Sequence, residues 1–249
     1  MHSRFYAPDA DVTGALIALP DEEAEHLSRV LRLGAGAAIQ VFDGRGREFG
    51  AVVESVTKSQ ARVRVGDAVA AAPELPIALT LAQAVLKGDK MDDIVRDAVM
   101  LGVVAIQPLL TSRAEASAAT LERGRRRERW ERIAIASVKQ CGRAVVPTVH
   151  EPRSLDDVLQ VSRASSPPGR AVMLVEPGAA PQAIAVRDLG SDAPPQVMLL
   201  IGPEGGWSPQ EIAAASPACQ MVTMGGITFR ADAAPSIAIA ALLARWKIL

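Results

Sequence analysis

A glycine-rich segment directly follows an apolar run towards the end of the chain. Residues 197–201 predict a buried strand, and this strand leads into Gly202-Pro203-Glu204-Gly205-Gly206. Ser208 and Glu211 then have the spacing of a capping box, which starts a helix. Glycines let the backbone approach a ligand closely, and a helix N-terminus offers unpaired amide donors. The segment therefore indicates either a ligand-binding loop or an ordinary turn between a strand and a helix.

The glycine pattern of this loop differs from the common nucleotide-binding fingerprints. It matches neither G-x-G-x-x-G nor the phosphate-binding loop that ends in Gly-Lys-Ser/Thr, so it favours a cofactor other than NAD or ATP. The two cysteines, Cys141 and Cys219, and three scattered histidines have no metal-ligand spacing, so we expect no metal. The cysteines also give no disulfide framework, which predicts a reducing compartment.

Composition limits the class of protein. The chain has 249 residues, of which 49% are hydrophobic, and this is enough for a buried core in one or two domains. Its formal net charge of -1 means that any nucleic-acid site must be a local patch. No apolar run resembles a signal peptide or reaches the roughly 20 residues that span a bilayer. We expect a cytoplasmic protein with no membrane partner.

The elements that must position the loop fall into two parts. Residues 21–34 predict a helix that ends before Gly34, and β-rich runs around the Asp43-Gly44 turn follow it. Beyond a proline-bearing stretch, strands alternate with helices, which is the pattern of an α/β domain. We expect a small β-rich domain over residues 1–72 and an α/β domain over residues 73–249. The helices expected in the second domain run from Gly88 to Gly102, over 123–139 and over 235–246.

Five segments, in order along the chain, resemble the RsmE family of 16S ribosomal RNA uracil-N3 methyltransferases, which belongs to the SPOUT superfamily. The first is EHLSRVLRLGAGAAIQVFDGRGREF. The others are LKGDKMDDIVRDAVMLGVVAIQPLLTSRAEA, RWERIAIASVKQCGRAVVPTV, LIGPEGGWSPQEI and MGGITFRADAA. The resemblance covers almost the whole chain, and five ordered segments are more specific than any one of them.

The resemblance implies a fold and an activity. The fold is a PUA-like β-barrel domain that binds RNA, followed by a SPOUT-type α/β domain with a trefoil knot, in a homodimer. The activity is transfer of a methyl group from S-adenosyl-L-methionine to N3 of a uridine in 16S rRNA of the small ribosomal subunit.

The resemblance also assigns the cofactor to three loops that follow successive strands. Independent physical reasoning agrees, because ligands of open α/β sheets bind at the carboxyl ends of the strands. The expected cofactor-binding residues are Val175, Glu176, Pro177, Ile201, Gly202, Pro203, Glu204, Gly205, Gly206, Met224, Gly225, Ile227, Thr228, Phe229 and Arg230.

Three charged residues in these loops are candidates for catalysis. Uracil N3 becomes a good nucleophile only when its proton is lost, so a site should stabilise the anion or supply a base. Arg230 is expected to stabilise negative charge on the uracil oxygens, with Glu204 or Asp232 as a proton acceptor or an orienting group. Alternatively, Arg230 and Asp232 simply pair with each other, and Glu204 only bonds backbone amides.

The last segment departs from the family pattern, which usually reads like L-G-x-R-I-L-R-T-E-T-A. Gly225, Arg230 and Ala234 match it, and Asp232 keeps the acidic character. Ile227 replaces an arginine, and alanines at 231 and 233 replace threonines. The chain therefore lacks hydroxyls that could bond the cofactor or the substrate.

Contacts to RNA are expected from a basic segment and from the first domain. Residues 113–143 hold nine basic residues against four acidic ones, an excess that would neutralise phosphates. A solvated helix face is the alternative explanation of such a charge run. Only 3% of residues are aromatic, so base stacking is not expected to drive recognition. The candidates are Arg29, Arg32, Lys87, Arg113, Arg125, Arg126, Gln140 and Arg143, some of which could instead contact a second subunit.

Two other functions remain compatible with the sequence. One is a SPOUT methyltransferase that acts on another RNA, such as a transfer RNA. The other is a ribosome-binding or assembly factor in which the altered last segment has weakened catalysis. A test of cofactor binding distinguishes an assembly factor of this kind from an active methyltransferase. A general nucleotide-binding protein is disfavoured by the missing fingerprints.

Overall fold

The computed structural model describes residues 3–57, 60–114, 117–164 and 170–249. The chain forms two compact units. Unit 1 comprises residues 1–74 and 135–146, and unit 2 comprises residues 75–134 and 147–249. The first break lies close to the expected boundary between residues 72 and 73, whereas the sequence pattern gives no sign that residues 135–146 return to unit 1.

Unit 1 is built on a five-stranded sheet with the strand order β1-β3-β4-β5-β2. Strands β1 and β3 are parallel, and the other pairs are antiparallel. Alternating residues such as Val63 and Val65 are buried beside exposed Arg62 and Arg64, because successive side chains of a strand point to opposite faces. The strands are β1 Arg4–Tyr6, β2 Leu16–Ala18, β3 Ala38–Phe42, β4 Glu48–Val56 and β5 Ala61–Val69.

The first helix differs from its sequence-based prediction. Helix α1, Asp21–Glu25, continues as a π-helical turn, His26–Val30. The turn is closed by Leu31 N–H, which donates to His26 O at 3.0 Å. The chain then reverses at Arg32, which has a φ of 53°, and Leu33 N–H donates back to Leu27 O at 3.0 Å. Arg32, and not Gly34, is therefore the left-handed residue that ends this helix.

Residues 135–146 are held in unit 1 by the guanidinium group of Arg4. This group pairs with the Glu48 carboxylate at 2.8 Å and also donates to four backbone carbonyls, those of Val138, Lys139, Gly142 and Arg143. The ammonium group of Lys139 pairs with nearly buried Glu23 at 2.8 Å. Because a planar guanidinium can donate five hydrogen bonds, one arginine satisfies the carbonyls at the end of a helix and the turn after it.

Unit 2 contains a parallel sheet with the strand order β11-β13-β10-β12-β6-β7-β8, and β9 also pairs with β7. Continuous apolar runs such as β6 and β12 form these strands because both faces of the sheet are covered. The carboxyl ends of β13, β10, β12 and β6 therefore lie side by side at one edge. The strands are β6 Ala78–Ala84, β7 Ala105–Leu110, β8 Thr148–Val149, β9 Arg153–Ser154, β10 Arg170–Leu174, β11 Ile184–Ala185, β12 Gln196–Ile201 and β13 Cys219–Thr223. The trefoil knot implied by the resemblance stays a prediction.

The remaining helices are α2 Lys90–Met100, α3 Ala118–Arg123, α4 Arg126–Cys141, α5 Leu155–Ala164, α6 Pro209–Ala215 and α7 Ala234–Arg245. The basic helix expected over 123–139 is present as α4, but it begins three residues later than expected. The chain breaks at Gly124 and at Arg125, whose φ is 47°, so Arg123 belongs to the separate helix α3. Within the described ranges, no helix is long and apolar enough to cross a membrane.

Gly102 ends helix α2, as the sequence predicts, and its φ is 90°. A Cβ atom at this position would lie 2.6 Å from Leu75 Cδ1. We expect Gly102→Ala to lower the free energy of unfolding by at least about 1–2 kcal/mol, the cost of a left-handed backbone for a residue with a side chain. Urea denaturation measures this change. The control is Gly190→Ala, where φ is not left-handed and the nearest atom is 3.9 Å away; an equal loss in both variants would contradict the explanation.

Candidate active site

Three loops at the carboxyl edge of the sheet in unit 2 enclose a cavity of about 550 Å³ that is partly open to solvent. The loops follow β10, β12 and β13, as expected for a parallel α/β sheet. Of the expected cofactor-binding residues, eleven line it: Val175, Glu176, Pro177, Ile201, Gly202, Pro203, Glu204, Met224, Ile227, Thr228 and Phe229. Gly205, Gly206, Gly225 and Arg230 are not among the lining residues. Leu174, Trp207, Ala231 and Ala234 also line the cavity and are absent from the sequence-based set.

Trp207 fixes the position of the glycine-rich loop. Its indole N–H donates to Leu174 O, at the end of β10, at 2.8 Å, and the side chain is 4% exposed. Gly202 packs against the indole, because a Cβ there would lie 3.1 Å from ring atoms. An aromatic residue directly after the glycines is the only sequence signal of this contact. The ring joins two of the three loops around the cavity.

The last two glycines of the glycine-rich loop, Gly205 and Gly206, make room for neighbouring side chains. Arg113 lies against Gly205 and donates to Gly205 O at 2.8 Å. Gly206, with a φ of 64°, lies so close to the Glu176 carboxylate that a Cβ would be 2.4 Å from Glu176 Oε1. These glycines therefore leave space for Arg113 beside the loop and for the Glu176 carboxylate in the cavity.

Helix α6 begins with the predicted capping box. Ser208 Oγ accepts from Glu211 N–H at 3.2 Å, and Glu211 Oε2 accepts from Ser208 N–H at 2.8 Å. Glu211 Oε1 also accepts from Ser112 N–H, in the loop after β7, at 2.8 Å. Burial raises the pKa of Glu211, but these backbone hydrogen bonds outweigh it and leave the pKa below its ordinary value. One carboxylate thus anchors both the helix start and a neighbouring loop.

Glu204 is paired with Lys90, at the start of α2. Lys90 Nζ lies 2.7 Å from Glu204 Oε1, and both side chains are partly exposed. Burial raises the pKa of Glu204, but the hydrogen bonds from Lys90 and from backbone amides outweigh it, so the pKa lies below its ordinary value. Lys90 is absent from the sequence-based candidates because its partner is distant in the chain.

Replacing Lys90 with methionine is expected to raise the pKa of Glu204 towards its ordinary value. Because the folded-state pKa is depressed, the pair stabilises the native protein above about pH 4.3, the unfolded value, and this contribution fades as the pH falls through the folded value. The expected size is at most about 1 kcal/mol, since the pair is partly solvated. Urea denaturation from acid to neutral pH measures the difference between wild type and Lys90→Met. A difference that does not shrink in acid would exclude the ion pair as its cause.

Arg230 and Asp232 form a bidentate ion pair beside the cavity, through Nε to Oδ1 at 3.1 Å and Nη2 to Oδ2 at 2.7 Å. Arg230 is 78% exposed. Hydrogen bonding from Arg230 lowers the pKa of Asp232, and Asp232 raises the pKa of Arg230. The pair considered from sequence is therefore formed, and it lies at the rim of the cavity, since the neighbouring residues Phe229 and Ala231 line the cavity. Ile227, which replaces the family's arginine, is 68% exposed at the same rim.

Three of the nine basic residues of the segment form ion pairs within unit 2. The ion pairs join Arg126 to Asp89 at 2.9 Å, Arg127 to Glu131 at 2.8 Å and to Glu151, and Arg129 to Asp92. Three of these acids lie outside residues 113–143, so the positive excess counted along the sequence overstates the excess on the surface. Glu115, one of the four acids of the segment, lies outside the described residues.

The other candidates for RNA contacts differ in accessibility. Arg143 is only 6% exposed and pairs with Glu74 inside unit 1, with Arg143 Nε at 3.0 Å from Glu74 Oε2. This burial corrects the expected RNA contact, since a charge compensated in the interior has a structural role. The exposed candidates are Lys87, Arg113 and Arg125 in unit 2 and Arg29, Arg32 and Gln140 in unit 1. Within the described part of the chain, no cluster of three or more histidine, cysteine or acidic residues could hold a metal ion.

Comparison with known proteins agrees with this geometry. Residues 73–243 match the model of the RNA methyltransferase domain, and residues 19–66 match that of the RNA methyltransferase PUA domain. The chain is 32% identical over 241 residues to the ribosomal RNA small subunit methyltransferase E of Synechocystis, covering 96% of this chain and 77% of that protein. It is 28% identical to the Bacillus subtilis protein of the same name, covering 98% and 93%.

Solved structures give the same result. The ribosomal RNA small subunit methyltransferase E of Neisseria gonorrhoeae bound to S-adenosyl methionine superposes with a TM-score of 0.86 at 32% identity, covering 99% and 98% of the two chains. A Legionella pneumophila methyltransferase in complex with the bound cofactor SAM gives a TM-score of 0.87 at 30% identity, covering 98% of each. Fold and site thus define an RNA methyltransferase with a PUA-like N-terminal domain and a SPOUT-type α/β domain. The chain belongs to the ribosomal RNA small subunit methyltransferase E family.

Proposed function

We propose that this protein transfers a methyl group from S-adenosyl-L-methionine to N3 of a uridine in 16S rRNA of the small ribosomal subunit. The cavity between the three loops of the RNA methyltransferase domain carries this proposal. The names of the relatives support small-subunit rRNA as the substrate, and the bound ligand of the Neisseria and Legionella structures supports the cofactor.

The residues around the cavity fit this cofactor. The lining of the cavity is mostly apolar with a few polar groups, which suits a purine and a thioether. None of the described lining residues is a lysine or an arginine, whereas Glu176 and Glu204 are carboxylates, of which Glu204 is paired with Lys90. This charge favours a cationic ligand and disfavours a phosphate-bearing one. When bound, the cofactor supplies an electrophilic methyl group on a sulfonium that leaves as a neutral thioether.

The chain's own residues prepare the uracil. Arg230, at the rim, stabilises the negative charge that develops on the uracil oxygens when N3 loses its proton to solvent. A base works best with a pKa near the working pH, whereas Asp232 and Glu204 have lowered pKa values and hold their own cations. Both carboxylates therefore orient groups: Asp232 orients Arg230, and Glu204 orients the loop through Lys90.

RNA binding and assembly follow from the same proposal. Exposed Lys87, Arg113 and Arg125 contact phosphates from the α/β domain, whereas Arg29 and Arg32 do so from the PUA-like domain. We place the boundary between the RNA-binding domain and the methyltransferase domain between residues 72 and 73. The working protein is a cytoplasmic homodimer that needs no metal ion.

Transfer of a labelled methyl group tests the proposal. Purified protein and labelled S-adenosyl-L-methionine are incubated with three substrates: small ribosomal subunits that lack the modification, free 16S rRNA and transfer RNA. The account predicts label in small-subunit rRNA and 3-methyluridine after nucleoside analysis. Label only in transfer RNA would assign another substrate. Binding to subunits without any transfer would make the protein an assembly factor, consistent with its altered last segment.

A further inference from the structure

The carboxylate of Glu176 differs from the other acidic groups at the site because no described residue pairs with it. It follows β10, is half-buried and lines the cavity. Glu204 is paired with Lys90, and Asp232 is paired with Arg230. By contrast, the described residues give the Glu176 carboxylate neither an ion pair nor a side-chain hydrogen bond. A charge in this position is left for a ligand to compensate.

Gly206 leaves room for this carboxylate. A Cβ at residue 206 would lie 2.4 Å from Glu176 Oε1 and 3.0 Å from its carboxyl carbon. The carboxylate therefore lies against the backbone of the glycine-rich loop, in space that any other residue would fill. The left-handed φ of 64° at Gly206 independently favours glycine. Two loops of the cavity thus meet at one negatively charged group.

We propose that Glu176 is a specificity-determining residue that pairs with the positive charge of the cofactor. This inference rests on the proposed function. S-adenosyl-L-methionine carries a sulfonium and an α-ammonium, S-adenosylhomocysteine keeps only the ammonium, and methylthioadenosine carries neither. An unpaired carboxylate in a mostly apolar cavity selects a cation over a neutral molecule of similar shape, because a bound neutral ligand would displace water from the carboxylate without compensating its charge. Glu176 thereby separates adenosine derivatives that carry a cation from neutral methylthioadenosine.

Calorimetric titration of wild type and Glu176→Gln with these three ligands tests the inference. Glutamine keeps the shape over Gly206 and removes the charge. We expect the affinity for S-adenosyl-L-methionine to fall about tenfold, or about 1.4 kcal/mol, and the affinity for methylthioadenosine to stay unchanged. A parallel loss for S-adenosylhomocysteine assigns the contact to the ammonium, whereas an unchanged affinity assigns it to the sulfonium. Asp188→Asn, which removes an exposed carboxylate of unit 2 outside the cavity, controls for net charge.

Equal losses for all three ligands, or no loss for S-adenosyl-L-methionine, would overturn the inference. Should Glu176→Gln not fold, the salt dependence of wild-type binding answers the same question. Added salt screens charge, so it must weaken the binding of S-adenosyl-L-methionine but not that of methylthioadenosine. An equal salt dependence of the two affinities would overturn the role of charge. A wild-type protein that binds methylthioadenosine but not S-adenosyl-L-methionine would instead refute the proposed function.

Discussion

Replacing Arg230 with alanine is expected to reduce the rate of methyl transfer about 10²- to 10³-fold, the usual cost of removing a group that stabilises developing negative charge. The guanidinium is presented at the rim of the cavity by its bidentate pair with Asp232. Because Arg230 does not line the cavity, the affinity for the cofactor should change little. Single-turnover transfer to small subunits measures the rate, and titration with S-adenosyl-L-methionine measures the affinity.

The matched control is Arg187→Ala. Arg187 is also an exposed arginine of unit 2 beside an aspartate, and it lies 3.9 Å from Asp188, outside the cavity. This variant should keep the wild-type rate. Full turnover by Arg230→Ala would remove the main support for a catalytic role and leave the pair with Asp232 as a structural contact.

Replacing Trp207 with alanine is expected to cost about 3–5 kcal/mol of folding stability and to abolish cofactor binding. The indole is nearly buried, packs against Gly202 and joins the loops after β10 and β12. Without it, the cavity loses one wall and the glycine-rich loop loses its anchor. Urea denaturation measures the stability, and calorimetric titration measures the binding.

Trp207→Phe separates the hydrogen bond from the packing. Phenylalanine fills most of the space but leaves Leu174 O without its 2.8 Å donor, so we expect a loss of about 1–3 kcal/mol with weakened but detectable cofactor binding. Trp207→Ala protein that binds the cofactor as wild type does would show that the loops hold the cavity without the indole.

The cavity was predictable because its signals are local. A strand, the glycine-rich loop and the Ser208–Glu211 capping box follow one another in sequence, and parallel strands bring their carboxyl ends to one edge. The family resemblance then indicated that the loops after β10 and β13 form the cavity together with the glycine-rich loop. Gly102 was predictable for the same reason, since a glycine after an apolar helical stripe marks the helix end.

The features that escaped prediction depend on partners distant in the chain. Lys90 forms an ion pair with Glu204, and Arg4 donates hydrogen bonds to backbone carbonyls beyond residue 135. The sequence around Lys90 and around Arg4 gives no sign of these contacts. The basic segment looked more positive than it is because its partners Asp89 and Asp92 lie at the start of another helix, α2. The left-handed conformations of Arg32 and Arg125 likewise contradict local preference, because arginine rarely adopts a positive φ.

Nucleoside analysis of 16S rRNA from cells with and without the gene tests the central claim most directly. The account predicts that 3-methyluridine is present in wild-type rRNA, disappears on deletion, and returns with a plasmid that encodes the wild-type protein but not with one that encodes Arg230→Ala. Unchanged 3-methyluridine in small-subunit rRNA after deletion would contradict the proposed activity.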